Sequence, residues 1–504
     1  MDGQSGQALP LAIMALAIGA LMVAPFLGHA GTDLLSSRVY GEAIAQQSAC
    51  DAGIEHAIWS LTKGDLAEQF TQPGDEVTYQ LDETVNGLTT SVTVTANASG
   101  GGGFGGDITE TVIDTLTFDT SSVYTPEIIQ VSNNVYAIAY RTSNNKGYLK
   151  TVSIAADGDI GNSAIDTLNF VTSNCYEPNI IQVTGNIYAI AYRGSSSRGY
   201  LITVSIAANG NIGSSVIDTL TFDAADGYEP NIVRVASNIY AIAYRGSSSR
   251  GYLKTVSIAA NGNIGSSVIS TLTFDSSTCY EPDIVRVASN IYTIAYRGSS
   301  NKGYLKTVSI AANGVIGGSV ISTLTFDASA GYEPSIKNVS GIYYAIAYRG
   351  STNNGLLKTV SIAANGVIGS SVIDSFSFDS YGYEPRIINV SNDIYVIAYR
   401  GPSNRGYLKT LSITTDGDIA SSAIDTMQFD ALYGYEPVIT NTSGDIYAIA
   451  YRGTDNDGFI KTVEIIGTGG AAAYEIVATA GDRTIRAFVN TDNDTATITS
   501  WQIE

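Results

Sequence analysis

Histidine is nearly absent from this chain of 504 residues. There are two, His29 and His56, and both precede the repeated region that fills most of the sequence. That region therefore has no Ser/His/Asp or Cys/His set and no histidine metal ligand, and no Gly-rich phosphate loop appears. Cysteine is scarce as well. Of Cys50, Cys175 and Cys279, the last two fall at equivalent places two repeats apart, too far to bridge, so the chain is not a disulfide-stapled scaffold. Basic residues are few: 26 Lys and Arg stand against 47 Asp and Glu, a formal charge of -21. Phosphate backbones and anionic membrane surfaces need a basic patch, so nucleic acid is excluded as a partner. We expect no enzyme, no catalytic residue, no metal and no cofactor.

Turn and strand formers are abundant instead. The chain holds 52 Gly and 32 Tyr, and 44% of it is apolar, the composition of a β-rich globular protein with many turns. Its strongest pattern is an internal repeat that begins Tyr-Glu-Pro and reaches Tyr-Arg, as in the stretch Tyr228–Gly246. The arginines that close each copy are Arg141, Arg193, Arg245, Arg297, Arg349, Arg400 and Arg452, spaced by 52 residues with one step of 51. In the third copy, alternating and apolar runs predict strands over Asn231–Ala236, Ile239–Tyr244, Tyr252–Ala259 and Val268–Phe274, the last two joined by an Asn-Gly turn.

Four short strands in a repeat of this length predict the blade of a β-propeller. The phase predicts closure: Val112–Phe118 is a fourth-strand sequence with no three before it, and the last copy has three strands and no fourth. A mainly β fold follows, a seven-bladed propeller whose N-terminal strand completes the last blade and removes the exposed edges. The blades contain no Trp, no Asp-box and no calcium loop, so no propeller family's function is carried over.

The Tyr-Glu-Pro connection and the loop after each Tyr-Arg fall on one face of such a fold. That face gathers Glu177, Glu229, Glu281, Glu333, Glu384 and Glu436, with Thr125 in the first copy, beside the seven arginines. Two readings follow. Either Arg–Glu pairs lock the blades, or a ring of charge at the channel mouth binds a ligand. The polar loops after each arginine, from "RTSNNKGYL" to "RGTDNDGFI", vary on a common frame, as a recognition face for a surface glycan or protein would.

The ends of the chain read differently. Ala8–Leu27 is uncharged and long enough to span a bilayer, and "AIAQQSACDAGIEHAIWSL" continues as an amphipathic helix that "KGD" ends. This arrangement resembles the stalk of type IV pilin-like proteins, PilX-type minor pilins among them. The resemblance covers about the first 60 residues and implies processing after Gly6, assembly with other pilin-like subunits through the helix, and insertion in the cytoplasmic membrane. Where major pilins carry Glu after the processing junction, this sequence has Leu11. Strands follow the helix around Asn86-Gly87 and recur over Tyr474–Thr479, Thr484–Val489 and Ala496–Ile503. We expect a pilin-like α+β domain with a long N-terminal hydrophobic helix, split into residues 1–98 and 474–504. Two linkers, 99–106 and 467–473, would join it to an inserted propeller, 107–466.

The expected function is that of a membrane- or pilus-anchored cell-surface protein that displays the propeller for adhesion or ligand binding. Alternatives are a structural filament or envelope subunit and, third, a surface hydrolase or lyase.

Overall fold

The computed structural model describes residues 38–70, 75–97, 106–467, 472–492 and 495–503. The chain divides into two compact units, Met1–Phe104 with Gly469–Glu504, and Gly105–Thr468.

The smaller unit joins both ends of the chain in one antiparallel sheet. The strands lie in the order Glu76–Gln80, Thr90–Asn97, Ala472–Ala480, Arg483–Asp492 and Thr495–Ile503. A helix over 38–63 covers one face of it. Ala49, Cys50, Ile54, Ala57 and Leu61 recur at helical spacing and pack on Val92, Val94, Ile476, Ala478 and Val489. Gly53 permits the close approach: a Cβ there would stand 2.9 Å from Thr90 Cγ2 and 3.0 Å from Val92 Cγ2.

The expected localisation, at the cell surface through a transmembrane helix or within a pilus-like filament, is corrected here. Among the described residues no helix is long and apolar enough to cross a membrane. The helix over 38–63 carries Arg38, Glu42, Asp51, Glu55 and Lys63 and buries only one stripe. Ala8–Leu27, Gly6 and Leu11, on which the anchoring and processing expectations rested, lie outside the described residues.

The larger unit is mainly β, a propeller built from seven four-stranded antiparallel sheets. Blade 1 runs from Val123 to Val171, blade 2 from Tyr176 to Asp223, blade 3 from Tyr228 to Asp275, and blade 4 from Tyr280 to Asp327. Blade 5 runs from Tyr332 to Asp379 and blade 6 from Tyr383 to Asp430. Blade 7 takes three strands from Tyr435–Glu464, and its fourth, Asp114–Asp119, pairs with Gly458–Glu464 from the other end of the unit. Inner strands pack on their neighbours around the whole ring, that of blade 7 on that of blade 1.

The second strand of each blade is the hub of packing. In "IYAIAYR" every residue before the arginine is buried in blade 3, because both faces of a central strand meet adjacent blades. Tyr240, Tyr244, Tyr292 and Tyr296 are fully buried, as are their counterparts in other blades except Tyr192, which is 4% exposed. Each such ring contributes roughly 2 kcal/mol by leaving water. Their hydroxyls are satisfied: Tyr240 donates to Val183 O of the preceding blade at 3.2 Å, and Tyr244 to Asp223 at 2.5 Å.

Polar staples join each blade to the next. Thr151, Thr203, Thr255, Thr307 and Thr359 donate to the carbonyl of the turn glycine one blade on, at 2.5–2.6 Å. Thr462 of blade 7 reaches Gly158 of blade 1 at 2.7 Å, and Thr410 of blade 6 reaches Gly106 at 2.5 Å. Gly106 thus supplies from the N-terminal side the turn that blade 7 lacks.

A second staple ends the fourth strand of every blade but the first. Asp223 of blade 2 accepts from Lys254 of blade 3 at 2.7 Å as well as from Tyr244. Asp119, in the same role, is pulled up by burial, but hydrogen bonds from Ser121, Tyr140 and Lys150 outweigh that and lower its pKa to about 2. The junction of blades 1 and 2 has Val171 and Ile202 where the others have Asp and Lys. Both charges are missing together, as expected where a lone buried charge costs more than an apolar pair.

Candidate binding site in the central channel

The Tyr-Glu-Pro segment turns each chain into its inner strand. The glutamates sit at φ 51–52°, in the left-handed region, and Thr125 at φ 45°, an arrangement that costs a non-glycine residue about 1 kcal/mol or more. The turn folds the Glu side chain back onto its own blade's arginine. In blade 3, Arg245 Nε donates to Glu229 Oε2 at 3.1 Å and Nη2 to Oε1 at 3.3 Å. Glu177–Arg193, Glu281–Arg297, Glu333–Arg349 and Glu384–Arg400 have the same two-pronged geometry. Arg452 Nε reaches Glu436 at 3.3 Å.

The same carboxylates also clasp the neighbouring blade. Glu177 Oε2 accepts from the backbone N–H of Glu229 at 3.0 Å, and the relation continues around the ring until Glu436 accepts from the N–H of Thr125 at 2.9 Å. Each guanidinium lies between two tyrosine rings, Arg245 over Tyr228 at 4.0 Å and over Tyr280 of the next blade at 4.7 Å. Burial raises the pKa of Glu229 and Glu384 despite their arginines. Each of these six carboxylates is thus held twice by the fold, by its own arginine and by the next blade's N–H. All six Glu–Arg pairs form, and among the described residues Arg141 stands without a carboxylate because Thr125 occupies its partner's place.

Two residues after each glutamate the repeats diverge. This position holds Glu127, Asn179, Asn231, Asp283, Ser335, Arg386 and Val438 in blades 1 to 7. With the prolines and the glutamates, all of these but Ser335 line a central cavity of about 310 Å³. Part of their capacity serves the fold: Asn179 Oδ1 accepts from Ile232 N–H at 3.0 Å, and Asp283 Oδ2 from Ile336 N–H at 2.9 Å. The Asn179 side chain also hydrogen-bonds Glu127, and Asp283 takes a second backbone donor in the Ile284 N–H; among the described residues the amide nitrogen of Asn231 makes no such bond. Arg386 spans blade 7 to reach Glu127 at 3.3 Å.

Burial raises the pKa of Glu127; Arg386 counteracts this and the charge of Asp283 adds to it. Burial likewise raises Asp283, against the Ile336 N–H, Arg386 and Lys337. The Glu127 side chain keeps 21% exposure, so the dense protein around it coexists with a wet channel that tempers the shift. Sequence reasoning missed this second tier. Its signal was present in "TPE", "EPN", "EPN", "EPD", "EPS", "EPR" and "EPV", where the varying third residue is the one that breaks the sevenfold symmetry.

No protein-family model matches the chain, and no curated protein is similar to it. Solved propeller structures are. A periplasmic gluconolactonase of Pseudomonas aeruginosa is 9% identical, with 73% of this chain and 95% of that one covered and a TM-score of 0.46. A hypothetical selenium-binding protein from Sulfolobus tokodaii is 8% identical, with 75% and 93% covered and a TM-score of 0.48. A protein of unknown function from Dyadobacter fermentans is 9% identical, with 70% and 99% covered and a TM-score of 0.42. These likenesses show the fold alone.

The expectation that the chain is not an enzyme is nevertheless corrected: a gluconolactonase is among the propellers it is similar to.

Proposed function

We propose that the propeller binds a small, hydroxyl-rich ligand, a glycan unit or similar polyol, in its central cavity. The observation that carries this reading is the broken symmetry of the second tier. Four blades use this position as an acceptor for the next blade's backbone, yet around the ring it holds two acids, two amides, a serine, an arginine and a valine. A cavity of about 310 Å³ is at the small end of ligand pockets, which span roughly 300–1,000 Å³, and suits about one sugar ring. Proline faces offer apolar contact to ring C–H groups, while the amides, carboxyls and Arg386 offer donors and acceptors to hydroxyls. In the chain as a whole, the propeller is an insertion between residues 1–98 and 474–504, joined through 99–106 and 467–473.

The test is calorimetric titration of the full chain with a panel of neutral and charged monosaccharides. Binding by the wild type, weakened about tenfold in Asp283→Asn or Arg386→Gln as a charged hydrogen bond is lost, supports the reading. Absence of binding, or equal affinity in both variants, contradicts it.

A further inference from the structure

One place in the upper ring lacks its carboxylate, and the groups that would hold it remain. In blade 1 the residue equivalent to the glutamates is Thr125. Arg141 nevertheless keeps its position, over Tyr124 at 4.2 Å and over Tyr176 of blade 2 at 5.1 Å. Its Nη1 donates to Asn145 at 2.8 Å. Among the described residues it forms no ion pair, whereas every other arginine of the ring has one. The backbone N–H of Glu177 in blade 2, whose counterparts each donate to the preceding blade's carboxylate, meets no carboxylate from blade 1. Thr125 Oγ1 is buried with no hydrogen-bond partner. Thr125 is also β-branched and held at φ 45°, where such a side chain is a genuine outlier.

Three donors therefore converge on a gap shaped by a missing carboxylate: the Nε and Nη2 edge of Arg141, the N–H of Glu177 and the hydroxyl of Thr125. Six filled copies in the same molecule show what fits there. We infer that this notch binds the carboxylate of an exogenous ligand, and that the occupant of the adjoining cavity is an acidic sugar or sugar-like hydroxy acid. Its carboxylate replaces the absent glutamate while its hydroxyls meet Asn179, Glu127 and Asp283. The notch stands on its own geometry; the identity of the larger ligand rests on the cavity reading above.

Acetate probes the notch alone. Thermal unfolding of the full chain in sodium acetate is compared with sodium chloride at equal ionic strength and neutral pH. The wild type gains a saturable rise in midpoint from acetate. Thr125→Glu places in blade 1 the side chain of the six other blades; it unfolds at or above the wild-type midpoint and shows no acetate response. Arg141→Gln also loses the response. Acetate acting no more than chloride, or Thr125→Glu and Arg141→Gln responding as the wild type does, overturns the notch. Glucuronate against glucose then probes the occupant: the wild type prefers glucuronate by at least ~10-fold, from the added charged hydrogen bonds, and Thr125→Glu abolishes the preference. A saturable acetate response with neither sugar bound supports the notch and overturns the cavity reading.

Discussion

Two tiers of side chains face the same channel, two residues apart along every inner strand, and they behave oppositely. The upper tier is glutamate in six blades, each held by an arginine and by the next blade's N–H. The lower tier is different in almost every blade and leaves donors and acceptors over. Uniformity goes with a structural role repeated in every blade, and diversity with a position the fold uses differently from blade to blade. Repetition of a charged motif is therefore poor evidence for a ligand, and departure from repetition at a channel-facing position is better evidence. The gap at Thr125 is the one upper-tier position that departs, and there too the capacity is unused.

The largest way to break this comparison is through the staples that hold the blades in register. Asp223→Val strips Tyr244 of its acceptor and leaves the half-buried Lys254 ammonium with the Phe222 carbonyl but no counter-charge, a loss of about 3 kcal/mol in denaturant unfolding. Adding Lys254→Ile reproduces the apolar pair Val171 and Ile202 of the first junction and recovers most of it. Failure of the second change to rescue the first means that the paired replacement at that junction has another cause.

A smaller effect is expected in the upper tier. Glu229→Gln loses a charge-assisted clasp and lowers stability by about 2 kcal/mol, while ligand affinity stays within about twofold, a difference below ~0.5 kcal/mol. In the lower tier the sign reverses. Asp283 ionises at a cost imposed by burial, and Asn fills the same place in blades 2 and 3. Asp283→Asn keeps the acceptor for Ile336 and is stabilising at neutral pH by about 1 kcal/mol or less.

Acid titration separates the two kinds of carboxyl. Asp119, at about 2, and Asp223, Asp275, Asp327 and Asp430 are lowered because hydrogen bonds, from Lys and Tyr among them, outweigh burial. Their folded pKa lies below the unfolded value, so their contribution is complete above about pH 4, the ordinary carboxylate range, and disappears as pH falls toward 2. Glu127 and Asp283 are raised, so they penalise the fold increasingly as pH rises through their folded values. Unfolding midpoints between pH 2 and 7 should fall on the acid side in the wild type. They should fall less steeply when two of the staple aspartates are replaced together with their lysines by Val and Ile.

Much of this architecture was legible in the chain. The spacing of the arginines, the Asn-Gly turns and the orphan strand at Val112–Phe118 required seven blades closed by the N-terminus, and Asp114–Asp119 does pair there. The meeting of glutamate and arginine on one face was legible as well, since the connections that carry them share an end of the blade. What escaped was the side-chain register beyond the glutamate. A left-handed residue at that point turns the chain so that the residue two further on lines the channel, and strand alternation alone does not reveal this. Thr125 was visible as an exception, but its consequence depends on Arg141 and the Glu177 N–H remaining in place, which only coordinates show. A transmembrane anchor, read from an apolar run, has no counterpart among the described residues.

The most direct test of the central claim is a paired measurement on Glu229→Gln and Asp283→Asn: unfolding midpoint, and affinity for whichever monosaccharide the wild type binds. The two-tier account predicts a lower midpoint with unchanged affinity in Glu229→Gln, and an unchanged or higher midpoint with about tenfold weaker binding in Asp283→Asn. Loss of affinity in Glu229→Gln at full stability, with Asp283→Asn binding as the wild type does, would contradict it.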